Sequence, residues 1–345
     1  MRKSLFSLLL LIIYGVCYGQ SSEIDSIIKV FNSSKNDSIK ATALNSLAWK
    51  FMFTNPDTTI IISENAIELA KNLTDKTILT NSVNNLATSY AVKGNMNYAL
   101  IKFKEAELIA NITDSPKELA MVQNNLGLVY WNLGELDSAI YTYKAAIKNF
   151  IKQGELKVGA ANTHNNIGLI YNDLGIKDSA ISNYKKALVI FDSLKTKSRG
   201  VANTYNNIGI LYKERGDLPY ALDYYLKALK TYEEIEEKSD GYANVLSNIG
   251  IIYKEQKEYE KALEYYKKSQ KSFEKLSLQS IGLANTLNNI GIIYHLKDND
   301  DEALRYYELA LEMQEQIGEK SIGMASSLTN ICLLYTSDAA DEEDS

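Results

Sequence analysis

Cysteine is almost missing from this chain of 345 residues: there are two, Cys17 and Cys332. With none between them, disulfides and thiolate metal sites are excluded from the body of the protein. Three prolines and eighteen glycines leave few chain breakers, which predicts a mostly helical structure. Charge of one sign is also lacking, with 37 Lys and Arg against 43 Asp and Glu and a net charge of −6. No basic stripe is visible, which argues against nucleic acid as a partner. Histidine is scarce. His164 falls on an apolar helical face and reads as packed, and His295, with Asp298 three residues on, reads as a surface pair. There is no Ser-His-Asp order, no glycine-rich phosphate loop and no metal-ligand spacing. The expectation is therefore no catalytic residue, no metal and no cofactor. Paired acids such as Glu233 and Glu234 read as the surface of a helix.

What is present begins with "MRKSLFSLLLLIIYGVCYGQ". Arg2 and Lys3 precede a mostly apolar stretch from Leu5 to Val16, and small Gly19 follows. That order is expected of an export signal, here over 1–19, cut to leave Gln20 first. An apolar stretch this short spans a bilayer poorly. A lipid anchor on Cys17 is the rival, although Val16 is larger than the residue that usually precedes such a cysteine. The localisation expected is outside the cytoplasm, in a periplasm. No second membrane segment follows.

Asn85, Asn125, Asn166, Asn207, Asn248, Asn289 and Asn330 recur at intervals of 40, 41, 41, 41, 41 and 41 residues. Strings such as "NNIGLIY", "NNIGILY" and "NNIGIIY" surround them. A fixed period of this length marks an array of stacked supersecondary units. Within one unit, His164, Ile167, Gly168 and Tyr171 share a helical face, "LGIKDSA" breaks the helix, and Ala180, Tyr184 and Ala187 share the face of a second helix. Gly175 suits a left-handed C-terminal cap; Lys257 and Asp298 stand where later units lack that glycine.

The set Ile167, Gly168, Tyr171, Gly175, Ala180, Tyr184 and Ala187 resembles the signature of the tetratricopeptide repeat. It returns as Leu126, Gly127, Tyr130, Gly134, Ala139, Tyr143 and Ala146, and again as Ile208, Gly209, Tyr212, Gly216, Ala221, Tyr225 and Ala228. Small residues let two helices approach and a ring fills the space beside them. The common repeat has about 34 residues; the longer period here resembles kinesin light chains and bacterial signalling proteins. The resemblance implies an all-α right-handed superhelical solenoid of antiparallel helix hairpins. A capping helix is expected in 20–36, then seven hairpins and a truncated eighth over 37–331. The tail 332–345, "CLLYTSDAADEEDS", resembles translated sequencing adapter; the rival is a natural acidic terminus. An exposed first helix there would favour self-association.

On the first helix of a unit, Asn162, Asn165, Asn166 and Leu169 share a face. The same holds for Asn203, Asn206, Asn207 and Ile210, for Asn244, Ser247, Asn248 and Ile251, and for Asn285, Asn288, Asn289 and Ile292. In this family first helices form the concave wall, so the resemblance implies carboxamide ladders over an aliphatic floor. A carboxamide both donates and accepts, as an extended peptide backbone requires. Asn85, Asn125, Asn166, Asn207, Asn248 and Asn289 are thereby candidate peptide-binding residues. Bonding to the neighbouring hairpin, and so setting the stacking, is the alternative for this row. The rows of Asn162 and Asn165 are expected to face the groove. Six hydrogen bonds net about 3–9 kcal/mol against about 4–15 kcal/mol for lost freedom, so side-chain pockets are needed too. Trp131, Asn172, Lys213, Lys254 and His295 vary at one such position, and Lys213 and Lys254 suit a carboxylate. The tyrosines at 224, 225, 265, 266, 306 and 307 read as packing, not as a base-stacking platform. The function expected is non-catalytic binding of a peptide or protein. By analogy, the alternative is the exported sensor half of a signalling protein that is membrane-attached when complete.

Overall fold

All three prolines stand at helix starts, where the missing N–H is no loss: Pro56, Pro116 and Pro219 occupy the first or second helical position. Carboxamide and carboxylate caps mark helix starts as well. Asn36 Oδ1 accepts from Ser38 N at 2.8 Å, Asn55 Oδ1 from Thr58 N at 3.0 Å and Asp75 Oδ1 from Thr77 N at 2.9 Å. The computed structural model describes residues 22–152, 157–276, 280–318 and 322–344. The leader expected over 1–19, with Cys17, lies outside the described residues. Among those described there are sixteen helices and no strand, as the scarcity of breakers predicts. None of these helices is long and apolar enough to cross a membrane.

The chain divides into two units, Met1–Ile170 and Tyr171–Ser345. The first contains α1 (Ser22–Ser33), α2 (Asp37–Phe51), α3 (Pro56–Ala70), α4 (Lys76–Val92), α5 (Met96–Ile112), α6 (Pro116–Asn132), α7 (Leu136–Lys152) and most of α8 (Lys157–Asp173). The second contains α9 (Lys177–Ser193), α10 (Arg199–Glu214), α11 (Leu218–Glu234), α12 (Asp240–Glu255), α13 (Tyr259–Lys275), α14 (Ile281–His295), α15 (Asp300–Ile317) and α16 (Ile322–Asp344). In both, consecutive helices pair as hairpins, α2 with α3, α4 with α5, α6 with α7, α10 with α11, α12 with α13 and α14 with α15. First helices also touch the next first helix: α2 meets α4 and α4 meets α6, while α10, α12, α14 and α16 form a like series. No comparable contact joins second helices among the described residues. First helices are thus the crowded inner wall of each unit.

The hairpin closes on a glycine. A Cβ added to Gly209 would lie 2.7 Å from the Tyr225 ring and one on Gly250 2.6 Å from Tyr266. Both rings are fully buried. Apolar carbons prefer about 3.5–4.0 Å, so only glycine permits this approach. The turn between the helices needs a left-handed residue, supplied by Gly94, Gly134, Gly175 and Gly216 at φ of 72–80°. Lys257 and Asp298 take the same region at φ 61° and 55° without being glycine. α1 buries Ile24 and Phe31 against the apolar side of α2, with Leu44, Leu47 and Phe51. At the far end, α16 remains helical to Asp344, so its backbone does not mark the expected boundary after Ile331. Leu328 there is 46% exposed, whereas the equivalent Leu287 is 4% exposed.

Candidate functional site

In the first unit the inner helices α2, α4 and α6 bound a groove of 1350 Å³. Each contributes side chains at matching intervals, so the lining falls into rows across the helices. One row is Thr42, Asn81 and Met121; the next is Asn45, Asn84 and Asn124; then come Trp49, Thr88 and Leu128; last are Phe53, Val92 and Asn132. Trp49 is 60% and Phe53 70% exposed, and their rings meet edge to face at 6.4 Å. Met121, Leu128 and Val92 are exposed as well. Exposed apolar side chains gathered in one concavity are a feature of binding sites. The charges around them nearly cancel: Lys50 pairs with Glu23 at 2.8 Å, and Lys117 neighbours Glu118.

The carboxamides are bound across hairpins more than expected. Asn125 Nδ2 donates to Asn84 Oδ1 at 3.1 Å, and Asn166 Nδ2 to Asn124 Oδ1 at 3.5 Å. In the second unit Asn248 Nδ2 donates to Asn206 Oδ1 at 2.9 Å, and Asn330 Nδ2 to Asn288 Oδ1 at 3.1 Å. Asn85 Nδ2 reaches the Asn45 carbonyl at 3.3 Å. In these four cases the second asparagine of a pair ties its hairpin to the first asparagine of the hairpin before. This is the stacking alternative that sequence left open for the Asn166 row. Each side-chain tie uses the Nδ2 of one residue and the Oδ1 of the other. Nδ2 of Asn206 and Oδ1 of Asn248 keep no hydrogen-bond partner among the described residues, so a donor and an acceptor survive on the wall.

The first rows differ from expectation in depth. Asn162, Asn203, Asn244 and Asn285 are exposed, but Asn203 Oδ1 accepts from the Tyr232 hydroxyl at 2.6 Å. Asn165 is buried, and Asn206 and Asn288 are half-buried. Asn206 and Asn288 accept in the ties, which draws them between helices. Ser247 is buried too, receiving the Thr286 hydroxyl at 3.3 Å.

The expected ladder does gather in the second unit. Asn244, Ser247, Asn248 and Ile251 of α12 meet Asn285, Asn288 and Asn289 of α14 and Ser326 of α16 around a pocket of 450 Å³. No charged side chain lines it among the described residues. Asn85 and Asn125 line the groove of the first unit. The structure places Asn162, Asn165, Asn166, Asn203, Asn206 and Asn207 on inner helices outside these two cavities. Lys213 and Lys254 also lie outside them, half-buried on α10 and α12. Burial holds the Lys254 ammonium below the ordinary lysine value; Glu255 opposes this and Lys213 adds to it. His164 is half-buried. His295 pairs with Asp300 at 2.7 Å and not with Asp298.

The tyrosines pack, as expected. Tyr225, Tyr266 and Tyr307 are core residues. Tyr224 stacks on Tyr212 at 5.5 Å with Lys227 over its ring at 4.9 Å, and Tyr265 and Tyr306 repeat the arrangement. Those ring faces are already covered. Sequence reasoning missed Trp49, Phe53, Met121 and Leu128. The aliphatic floor row of Leu169 and Ile210, carried back one repeat at a time, leads to Leu128, Thr88 and Trp49 and would have found two of the four.

A family model described as "Tetratricopeptide repeat" matches residues 118–193, 159–234, 200–275 and 282–342. Together these windows cover more than half of the chain. Among solved structures, the chain is similar to the apo form of the quorum sensor NprR from B. thuringiensis. Identity is 13% and the TM-score 0.56, over 84% of this chain and 92% of that one. It is similar to the apo form of RapI at 18% identity and a TM-score of 0.63, over 86% of each chain. It is similar to PilF of Pseudomonas aeruginosa at 18% identity and a TM-score of 0.53, over 74% of this chain and 98% of that one. At such identities the likeness is one of fold. A search of curated proteins found no match. The family match, repeated along hairpins closed by Gly209 on Tyr225 and Gly250 on Tyr266, shows that this chain belongs to the tetratricopeptide repeat family.

Proposed function

We propose that this protein is a non-catalytic scaffold that holds an extended peptide segment of a partner against its inner helices. The groove between α2, α4 and α6 carries the reading. It sets exposed Trp49, Phe53 and Leu128 beside a row of carboxamides. Apolar side chains supply the affinity that hydrogen bonds alone do not. The free Nδ2 and Oδ1 edges in the second unit, as at Asn206 and Asn248, are the complement of one peptide group. In that unit the carboxamides Asn244, Asn248, Asn285, Asn288 and Asn289 are the contacts proposed, with Lys213 and Lys254 receiving a carboxylate.

Selection of peptides from a display library against the full chain tests this. Peptides should enrich, and Phe53→Ala with Met121→Ala should weaken them about tenfold or more while leaving thermal unfolding unchanged, since both side chains are exposed. Enrichment of nothing, or binding indifferent to both changes, would refute it. We further propose that residues 1–19 direct export, on the charged start and apolar stretch of that segment. Mass spectrometry of the mature protein should find Gln20 first; an intact Met1 in an exported fraction would contradict it.

A further inference from the structure

We propose that the first-unit groove selects an uncharged extended segment whose large apolar side chains recur at about every third residue. This rests on the peptide-binding reading and adds to it a register and a side-chain class. The register follows from two lengths. Inner helices in direct contact, as α2 with α4 and α4 with α6 are, stand about 8–10 Å apart. A chain extended as polyproline II advances about 3.1 Å per residue with three residues per turn, so it passes one inner helix per turn and brings every third side chain to the same wall.

The side-chain class follows from what each helix presents. α2 offers the edge-to-face pair Trp49 and Phe53, and α6 offers Met121 and Leu128. α4 between them offers smaller Thr88 and Val92. Large anchors are therefore wanted at i and i+6, and a smaller aliphatic side chain at i+3. The groove has no field of one sign to select a charged partner. Glu23 and Lys50 neutralise one another, and Asp75 is engaged by the backbone N–H and hydroxyl of Thr77 at 2.9 and 2.6 Å. An acidic or basic segment would lose hydration there without a counter-charge.

The full chain carrying Trp131→Phe leaves Trp49 as its only tryptophan, a reporter inside the groove. Capped glycine-serine peptides of equal length and leucine count, with leucine at every second, third or fourth residue, are titrated by fluorescence and calorimetry. The every-third peptide should bind about tenfold more tightly than the others, equivalent to about 1.4 kcal/mol. Leu128→Asn should remove that preference; Leu128 is exposed, so the fold should tolerate it. Equal binding of all three peptides, or preference for another spacing, would overturn the register and leave the groove reading standing. A preference unchanged by Leu128→Asn would place the register elsewhere and overturn it here. Binding of no peptide in either assay would overturn both.

Discussion

Tyr225 and Tyr232 lie on the same helix, α11, and both are buried, yet their hydroxyls have opposite situations. The Tyr232 hydroxyl donates to Asn203 Oδ1 at 2.6 Å. The Tyr225 hydroxyl has no hydrogen-bond partner among the described residues. Replacing each with Phe should therefore move stability in opposite directions. A buried polar group without a partner costs about 1–3 kcal/mol. Removing the oxygen leaves a void smaller than a water's share of about 30 Å³, which costs under about 0.7 kcal/mol. Tyr225→Phe should fall between neutral and about 2 kcal/mol more stable. Tyr232→Phe loses one hydrogen bond, about 0.5–1.5 kcal/mol; exposed Asn203 can regain water, which keeps the loss near the lower end. Urea unfolding measures the two midpoints at unchanged slope. Hydrogen exchange in α11 and α12 checks that the change is local, since repeat arrays unfold through neighbour couplings. A Tyr225→Phe protein destabilised as much as Tyr232→Phe would show the hydroxyl to be satisfied and refute the argument.

Lys257→Gly should stabilise by about 0.5–1 kcal/mol, because a non-glycine residue in the left-handed region is strained; Gly216→Ala, at φ 79°, should lose about 1 kcal/mol, both read by thermal unfolding. Asn248→Ala should lose about 1 kcal/mol in urea unfolding, by deleting the tie to Asn206. Alkaline pH should unfold the protein. Burial raises the Tyr184, Tyr225 and Tyr266 hydroxyls well above the ordinary tyrosine value, and Tyr307 to about 12. The folded state holds these protons longer than the unfolded state. Their contribution is thus complete below about pH 10 and declines as pH rises toward the folded values, by up to about 1.4 kcal/mol per pH unit for each tyrosine. The last part of the tyrosinate absorbance should rise together with the loss of helical circular dichroism above about pH 10; complete tyrosinate formation with helicity intact would count against it. Amide exchange should be faster around Leu328 than around Ile208, given their 46% and 0% exposure.

Helix placement was legible because it rests on local and periodic signals. Prolines at starts, left-handed glycines at turns and the Gly209–Tyr225 contact each follow from residue chemistry repeated at a fixed interval. The use of the asparagines was not legible. Asn165 and Asn166 are adjacent and alike in sequence, and only the superposition of one hairpin on the next decides which amide edge is tied. Burial of Asn165 and Ser247 follows from that same register. The groove at α2 was hidden for another reason. "SLAWKFMF" departs from the pattern of the later repeats, so no periodic signal marks Trp49 and Phe53 as exposed rungs of the wall. Periodicity also failed at His295, whose partner Asp300 lies at the start of the next helix, beyond the turn.

That contrast bears on where recognition can reside. A residue present in every repeat presents the same chemistry at each step along the wall. It can complement only something equally periodic in a partner, and the main chain is the part of a peptide that repeats. The asparagines fit this, since the edges left after stacking amount to one donor and one acceptor. Discrimination among partners must then come from positions that break the period. In the first unit these are Trp49, Thr88 and Leu128 in one row and Phe53, Val92 and Asn132 in the next. Changing a constant residue such as Asn125 should weaken stacking and binding together, because its Nδ2 also holds Asn84. Changing Leu128 should alter which segment binds while the stack stands, because its side chain already faces the groove and is 43% exposed. Stability and specificity are thus carried by different rows of the same helices, which lets one vary without the other.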